Sequence, residues 1–199
     1  MPLAPRAVGG LGRRLFAGAV AAFLLTLPAY ARADPQWNAS LLTGVCGTGS
    51  HAYWQHTCWF NGLRSDVLFG RSQNADVGLG PYLQLTTAGF KDVRLGGGVT
   101  TLLPVHPYFP IGLSAGGYAR HSADGWEPGF SGWLFVGSKS YNYHSSYIMT
   151  GGLLLGLNYG LGRTRERTIV IAAQIDGLLL ALPFVIGYEW LHGPPSADN

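Results

Sequence analysis

Within the stretch YNYHSSY, Tyr141 to Tyr147, His144 and Ser146 supply an imidazole that can take a proton and a hydroxyl that can attack a carbonyl. A hydrolytic triad also needs a group that orients the histidine. No glutamate lies in the next strand-like segment, where Asn158 is the one polar candidate facing the same way. Cys46 and Cys58 are the only cysteines. His51 and His56 lie close by, but their spacing with the cysteines fits no zinc pattern, so no metal is expected. Gly96 to Thr101, GGGVTT, lacks the Lys-Ser/Thr end of a phosphate loop and opens no helix, and there is no His-Glu-x-x-His motif. No cofactor is implied. The other chemistry-bearing residues are Arg64, Asp66, Arg94, Arg120, Gln174 and Asp176, and their meaning depends on which way each one points.

That direction can be read from alternation, because successive side chains of a strand face opposite ways. From Val77 to Thr87, the odd positions carry Val77, Leu79, Pro81, Leu83, Leu85 and Thr87, and the even positions carry Gly78, Gly80, Tyr82, Gln84 and Thr86. Pro81 marks a strand end or a bulge. The same sorting holds from Asp92 to Leu103, from Phe109 to Arg120, from Leu153 to Leu161 and from Ile169 to Ile175. Weaker versions run from Trp37 to Val45, from about Thr57 to Phe69 and from about Pro128 to Ser138. Eight strands are therefore expected, many near the ten residues that a tilted membrane-crossing strand requires. Turn-like segments separate them, among them RSQNAD, AGFKD and RTRER. The residues from Lys139 to Tyr147 read as a polar turn with interfacial tyrosines.

One face of each segment is apolar. The other is mostly Gly, Tyr, Ser, Arg and Asp, without the Lys and Glu of a water-facing surface. Such a set suits the interior of a narrow barrel, since eight strands enclose little more than their own side chains. Arg64, Asp66, Arg94, Arg120, Gln174 and Asp176 are then expected as a paired polar network inside, or else as a narrow ion pathway. Gly96 and Gly98 would leave room inside beside Tyr82 and Gln84. A first hairpin with Ser40 opposite Arg64 and Leu42 opposite Gly62 puts Cys46 opposite Cys58, and export would permit a disulfide there. The segment from Leu178 to Gly193 reads either as a ninth strand with its even positions outward or as a short amphipathic helix starting near Pro183.

The N-terminal 33 residues explain the overall charge. Arg6, Arg13 and Arg14 precede the uncharged run LFAGAVAAFLLTLP, and two small-x-small sites follow, Ala29-Tyr30-Ala31 and Ala31-Arg32-Ala33. Residues 1–33 are expected to be a secretory signal peptide that is removed; Arg13-Arg14 leaves Sec and twin-arginine export both open. The chain has 13 basic and 10 acidic residues, and removing Arg6, Arg13, Arg14 and Arg32 leaves nine against ten, a net charge of −1. Nucleic-acid binding is not expected of that remainder. Charged residues are 12% of the chain, about half of what a soluble domain carries, yet no apolar run is long enough for a membrane helix. Residues 34–192 are expected to form one barrel domain, with 193–199 a disordered tail.

His144-x-Ser146 is similar to the His-x-Ser element of outer-membrane lipid A deacylases, small eight-stranded barrels with a Ser-His-Glu triad. That resemblance implies catalytic roles for His144 and Ser146, although Tyr147 stands where the family usually has Asn. Over most of residues 34–192 the chain resembles the small bacterial outer-membrane β-barrel proteins, in architecture rather than in any motif. The resemblance implies an all-β, eight-stranded antiparallel transmembrane barrel of the Gram-negative outer membrane, with a short C-terminal interfacial helix as one option. It implies a monomer in contact with outer-membrane lipid, with a structural or surface-interaction role and no catalysis. The alternatives are a deacylase-like lipid A-modifying enzyme and a soluble exported barrel that binds a small hydrophobic ligand.

Overall fold

A computed structural model describes residues 34–192 apart from 107–108, 124 and 142–146; His144, Ser146, the expected signal peptide and the expected tail lie outside the described residues. Eight strands follow one another: β1 (Gln36–Gly49), β2 (His56–Leu68), β3 (Gly78–Ala88), β4 (Asp92–Leu103), β5 (Ile111–Ser122), β6 (Gly125–Tyr141), β7 (Ile148–Gly160) and β8 (Arg167–Asp176). Each pairs antiparallel with its neighbours, and β8 returns to β1, closing the barrel. A helix, α1 (Gly177–His192), follows β8 directly.

Alternation sorts the side chains throughout. Even-numbered residues point inward on seven strands, and odd-numbered ones do so on β6. The interior positions are largely buried. Leu63, Leu83, Leu95, Leu113, Leu153 and Leu157 project outward, each more than two-fifths exposed. Arg167, at the start of β8, is the one Arg, Lys, Asp or Glu at an outward strand position among the described residues.

The expected strands are present, with some extended. Strand β6 runs through Lys139 to Tyr141, so these residues are strand rather than the expected polar turn. Pro81 lies inside β3, paired with Val99 of β4. The ladder to β2 stops at Asp66–Tyr82 and reappears only as a Phe69–Leu79 bridge. A residue without an N–H fits at that interruption, as expected of a bulge-like site. In the β2–β3 connection the Asp76 carboxylate accepts from the Ser72 and Gln73 backbone N–H groups at 2.8 and 3.1 Å. The bond from Ser72 is the main cause that holds this carboxyl below the ordinary aspartate range.

The segment after β8 is helix, not a ninth strand, and it starts at Gly177 rather than near Pro183. Closure leaves no free edge for another strand. The Asp176 carboxylate also accepts from the Leu178 N–H at 2.7 Å, an N-cap that starts the helix where the ladder ends. The expected amphipathic character is absent. Leu178, Leu180, Leu182, Phe184, Tyr188 and Trp190 are all more than a third exposed and are spread around the helix.

Cys46 and Cys58 face each other across the β1–β2 ladder and form a disulfide. The expected register holds, with Ser40 opposite Arg64 and Leu42 opposite Gly62. The bond ties residues 12 apart beside the β1–β2 connection. Replacing both cysteines with alanine is expected to lower stability by about 3 kcal/mol through a freer unfolded chain. Urea unfolding of the oxidised protein and the double variant in micelles checks this; superimposable curves would contradict it.

Candidate functional site: two polar clusters inside the barrel

The interior is stratified. Near the disulfide end, Asp92 and Arg94 project inward from one strand, two residues apart, and Arg120 comes from β5 opposite Arg94. Asp92 Oδ2 accepts from Arg94 Nη2 at 3.0 Å and from Arg120 Nε at 2.6 Å. Glu166, from the β7–β8 connection, bridges both guanidiniums, at 2.7 Å from Arg94 and 2.6 Å from Arg120. Glu127 of β6 lies 3.7 Å from Arg120 and accepts from the Thr164 hydroxyl at 2.5 Å. Two arginines thus share three carboxylates.

A second cluster occupies the end where α1 begins. Lys139 Nζ donates to Asp66 Oδ1 at 2.7 Å, and Arg64 Nε lies 3.6 Å from Asp66 Oδ2. The Arg64 guanidinium sits over the Tyr82 ring at 4.2 Å and donates to Ser114 Oγ at 2.7 Å. Asp176 accepts from Asn38 Nδ2 at 2.8 Å, from the Thr150 N–H at 3.0 Å and from the Tyr147 hydroxyl. Gln174 joins through Ser40, donating at 3.1 Å. Tyr147, which follows the His144-x-Ser146 pair, is also packed edge-on against Trp37 at 4.8 Å. That packing and its bond to Asp176 make it a structural tie at the base of the barrel.

Between the clusters lies an apolar layer of Leu42, Phe60, Trp133, Phe135, Leu154 and Val170, all at most 4% exposed. Charge inside this barrel therefore comes in two separated groups, not one network. Arg94 and Arg120 belong to one group. Arg64 and Asp66 belong to the other, with Gln174 and Asp176 beside them. Lys139, Glu127 and Glu166 are not among the expected interior residues. Lys139 follows from carrying the odd parity of Trp133 and Phe135 four residues further, whereas Glu166 sits in a connection where parity has no meaning.

The arrangement neutralises buried charge, and it also disarms the serine motif present. Gly112-Leu113-Ser114-Ala115-Gly116 spells the Gly-x-Ser-x-Gly pattern of a nucleophile elbow, but such an elbow is a strand-to-helix turn. Here the five residues are the interior of β5, and Ser114 Oγ is held between Arg64 and Thr100, with no imidazole hydrogen-bonded to it among the described residues. Among the described residues no group of three His, Cys, Asp or Glu is placed to hold a metal ion.

The chain is an all-β protein, a closed eight-stranded antiparallel barrel with a disulfide and one C-terminal helix. No protein-family model, no curated protein and no solved structure matches it.

Proposed function

We propose that the barrel is an integral protein of the bacterial outer membrane, exported by the 1–33 segment, with a structural or surface-interaction role and no catalysis. The observation that carries this reading is where the charge lies: all but one of the strands' charged side chains face inward, in two paired clusters, and mostly apolar side chains cover the outside. A water-soluble barrel has the opposite arrangement, because its core supplies the hydrophobic stabilisation. A membrane barrel needs an apolar band about 25 Å tall, flanked by aromatic side chains. Trp59, Trp126, Phe130 and Tyr159 face outward near the disulfide end, and Trp37 and Phe109 lie toward the other end. On β2, eight residue steps separate Trp59 from Val67, the partner of Trp37. That is about 26 Å along the strand and about 20 Å across a bilayer at the usual tilt, comparable with the required band. The all-round apolar α1 fits the same environment.

Fractionation of the producing cells, combined with gel migration before and after boiling, tests the proposal. Recovery in the outer-membrane fraction with a faster unheated band is expected. A soluble periplasmic protein would contradict it and favour the ligand-binding alternative.

A further inference from the structure

Few polar side chains lie on the outward wall of β1–β4, and three of them form one row. Thr43, Asn61 and Thr87 lie side by side on β1, β2 and β3. Asn61 is the one amide at an outward strand position among the described residues. Its orientation is fixed, because Oδ1 accepts from the Trp59 indole N–H at 2.9 Å and from the Thr43 hydroxyl at 3.0 Å, and an indole can only donate. Both Nδ2 hydrogens are left over, and no described residue accepts from them. The neighbouring Thr87 Oγ1 is buried without a partner.

A groove leads away from this row. A cavity of about 270 Å³ touches Asn61 and Thr87 and shares Leu41, Leu63 and Leu85 with a second of about 410 Å³. The second runs on along the wall to Leu180 of α1, which overhangs its far end. Beyond the polar row the track is mainly apolar, with Ser65 the one outward polar residue along it, and α1 borders its far end.

Resting on the membrane reading above, we infer that this track seats one phospholipid, with an ester carbonyl accepting from Asn61 Nδ2 and its acyl chain lying along Leu63 and Leu85 toward Leu180. Depth agrees with the chemistry. Asn61 is two residues, about 7 Å along the strand, inside the aromatic level marked by Trp59, where the linkage region of a lipid lies beneath its headgroup. The cavity that touches Asn61 has no charged residue in its lining, and the second has only Arg64, which sits at an inward position of β2, so the seat reads the linkage and the chain and not the headgroup. A second copy of the barrel would need a protruding surface to fill the groove, whereas a flexible chain conforms to it.

The test uses the chain without residues 1–33, in nanodiscs of palmitoyl-oleoyl phosphatidylethanolamine or of its ether-linked analogue, which has no carbonyls. Native mass spectrometry after collisional activation then reports the lipid retained. One retained ester lipid per barrel is expected, with several-fold less retention of the ether lipid. Asn61→Leu should reduce the ester lipid to the ether level and leave the ether lipid unchanged. Leu157→Ala, on the far wall, should change neither. Equal retention of ester and ether lipid, or an unaltered Asn61→Leu profile, would overturn the seat while leaving the membrane reading intact. So would a dimer that Asn61→Leu dissociates. A chain that does not enter nanodiscs at all would overturn both.

Discussion

Gly98→Leu is expected to prevent assembly of the barrel, whereas Val99→Leu one residue on should be close to neutral. Gly98 points inward from β4 and is paired with Gly116 of β5 and Tyr82 of β3. A Cβ at Gly98 would collide with the Ala115 carbonyl oxygen and the Gly116 Cα, and a Cβ at Gly116 would collide with Gly97 and Gly98 in return. The obstacle is backbone, which cannot rotate aside. Overpacking a core costs about 1–3 kcal/mol when side chains can yield, and here they cannot, so a larger loss is expected. Gly98→Ala should already weaken the barrel. Val99 is outward and two-fifths exposed, where substitutions usually change stability by no more than about 0.5 kcal/mol. Heat-modifiable migration of refolded variants reads the difference; equal folding of Gly98→Leu and Val99→Leu would mean that the two faces are reversed.

The second large effect is expected at Asp66. Its carboxylate is the anion that Lys139 and Arg64 share, and all three side chains are at most 4% exposed. Asp66→Ala leaves two buried cations without their partner and should cost about 3–5 kcal/mol. Lys139→Met should cost less, because Asp66 keeps Arg64 and the methionine fills the vacated space. The two losses should not add, since both substitutions break the same bond. Chemical unfolding in micelles measures all three variants. A Lys139→Met variant less stable than Asp66→Ala, or strictly additive losses, would show that the pair is not organised around the carboxylate.

Much of this architecture was legible in the sequence because inward and outward positions differ in chemistry residue by residue. Alternation alone places Tyr82, Gln84, Arg94 and Gly96 inside. The Cys46–Cys58 pairing followed from the register of one hairpin. What was not legible depends on closure. Parity puts Arg64 and Arg94 on the same face of a sheet, but it says nothing of height in the barrel. The separation into two clusters, with Phe60, Trp133 and Phe135 between them, arises only when eight strands meet. The run from Leu178 to Trp190 is apolar enough for either strand or helix. It becomes helix because β1 already occupies the last edge and Asp176 caps the first turn. The roles of Gly96 and Gly98 also separate. A Cβ on Gly96 would press on the Tyr118 Cβ at 3.2 Å and the Gln84 amide at 3.3 Å, so it makes room for side chains, whereas Gly98 makes room for a neighbouring strand.

The central claim is that the outward leucines meet lipid and the charges do not meet bulk water. Spin labels on single cysteines introduced at Leu83, Leu95, Leu113 and Leu153 test it, because Cys46 and Cys58 are consumed by their disulfide. In reconstituted vesicles, power-saturation spectroscopy compares collision with oxygen, which concentrates in lipid, and with a water-soluble nickel chelate. The account predicts high oxygen and low nickel accessibility at all four positions. Ready collision with nickel at these sites would contradict it and make the barrel a water-exposed protein.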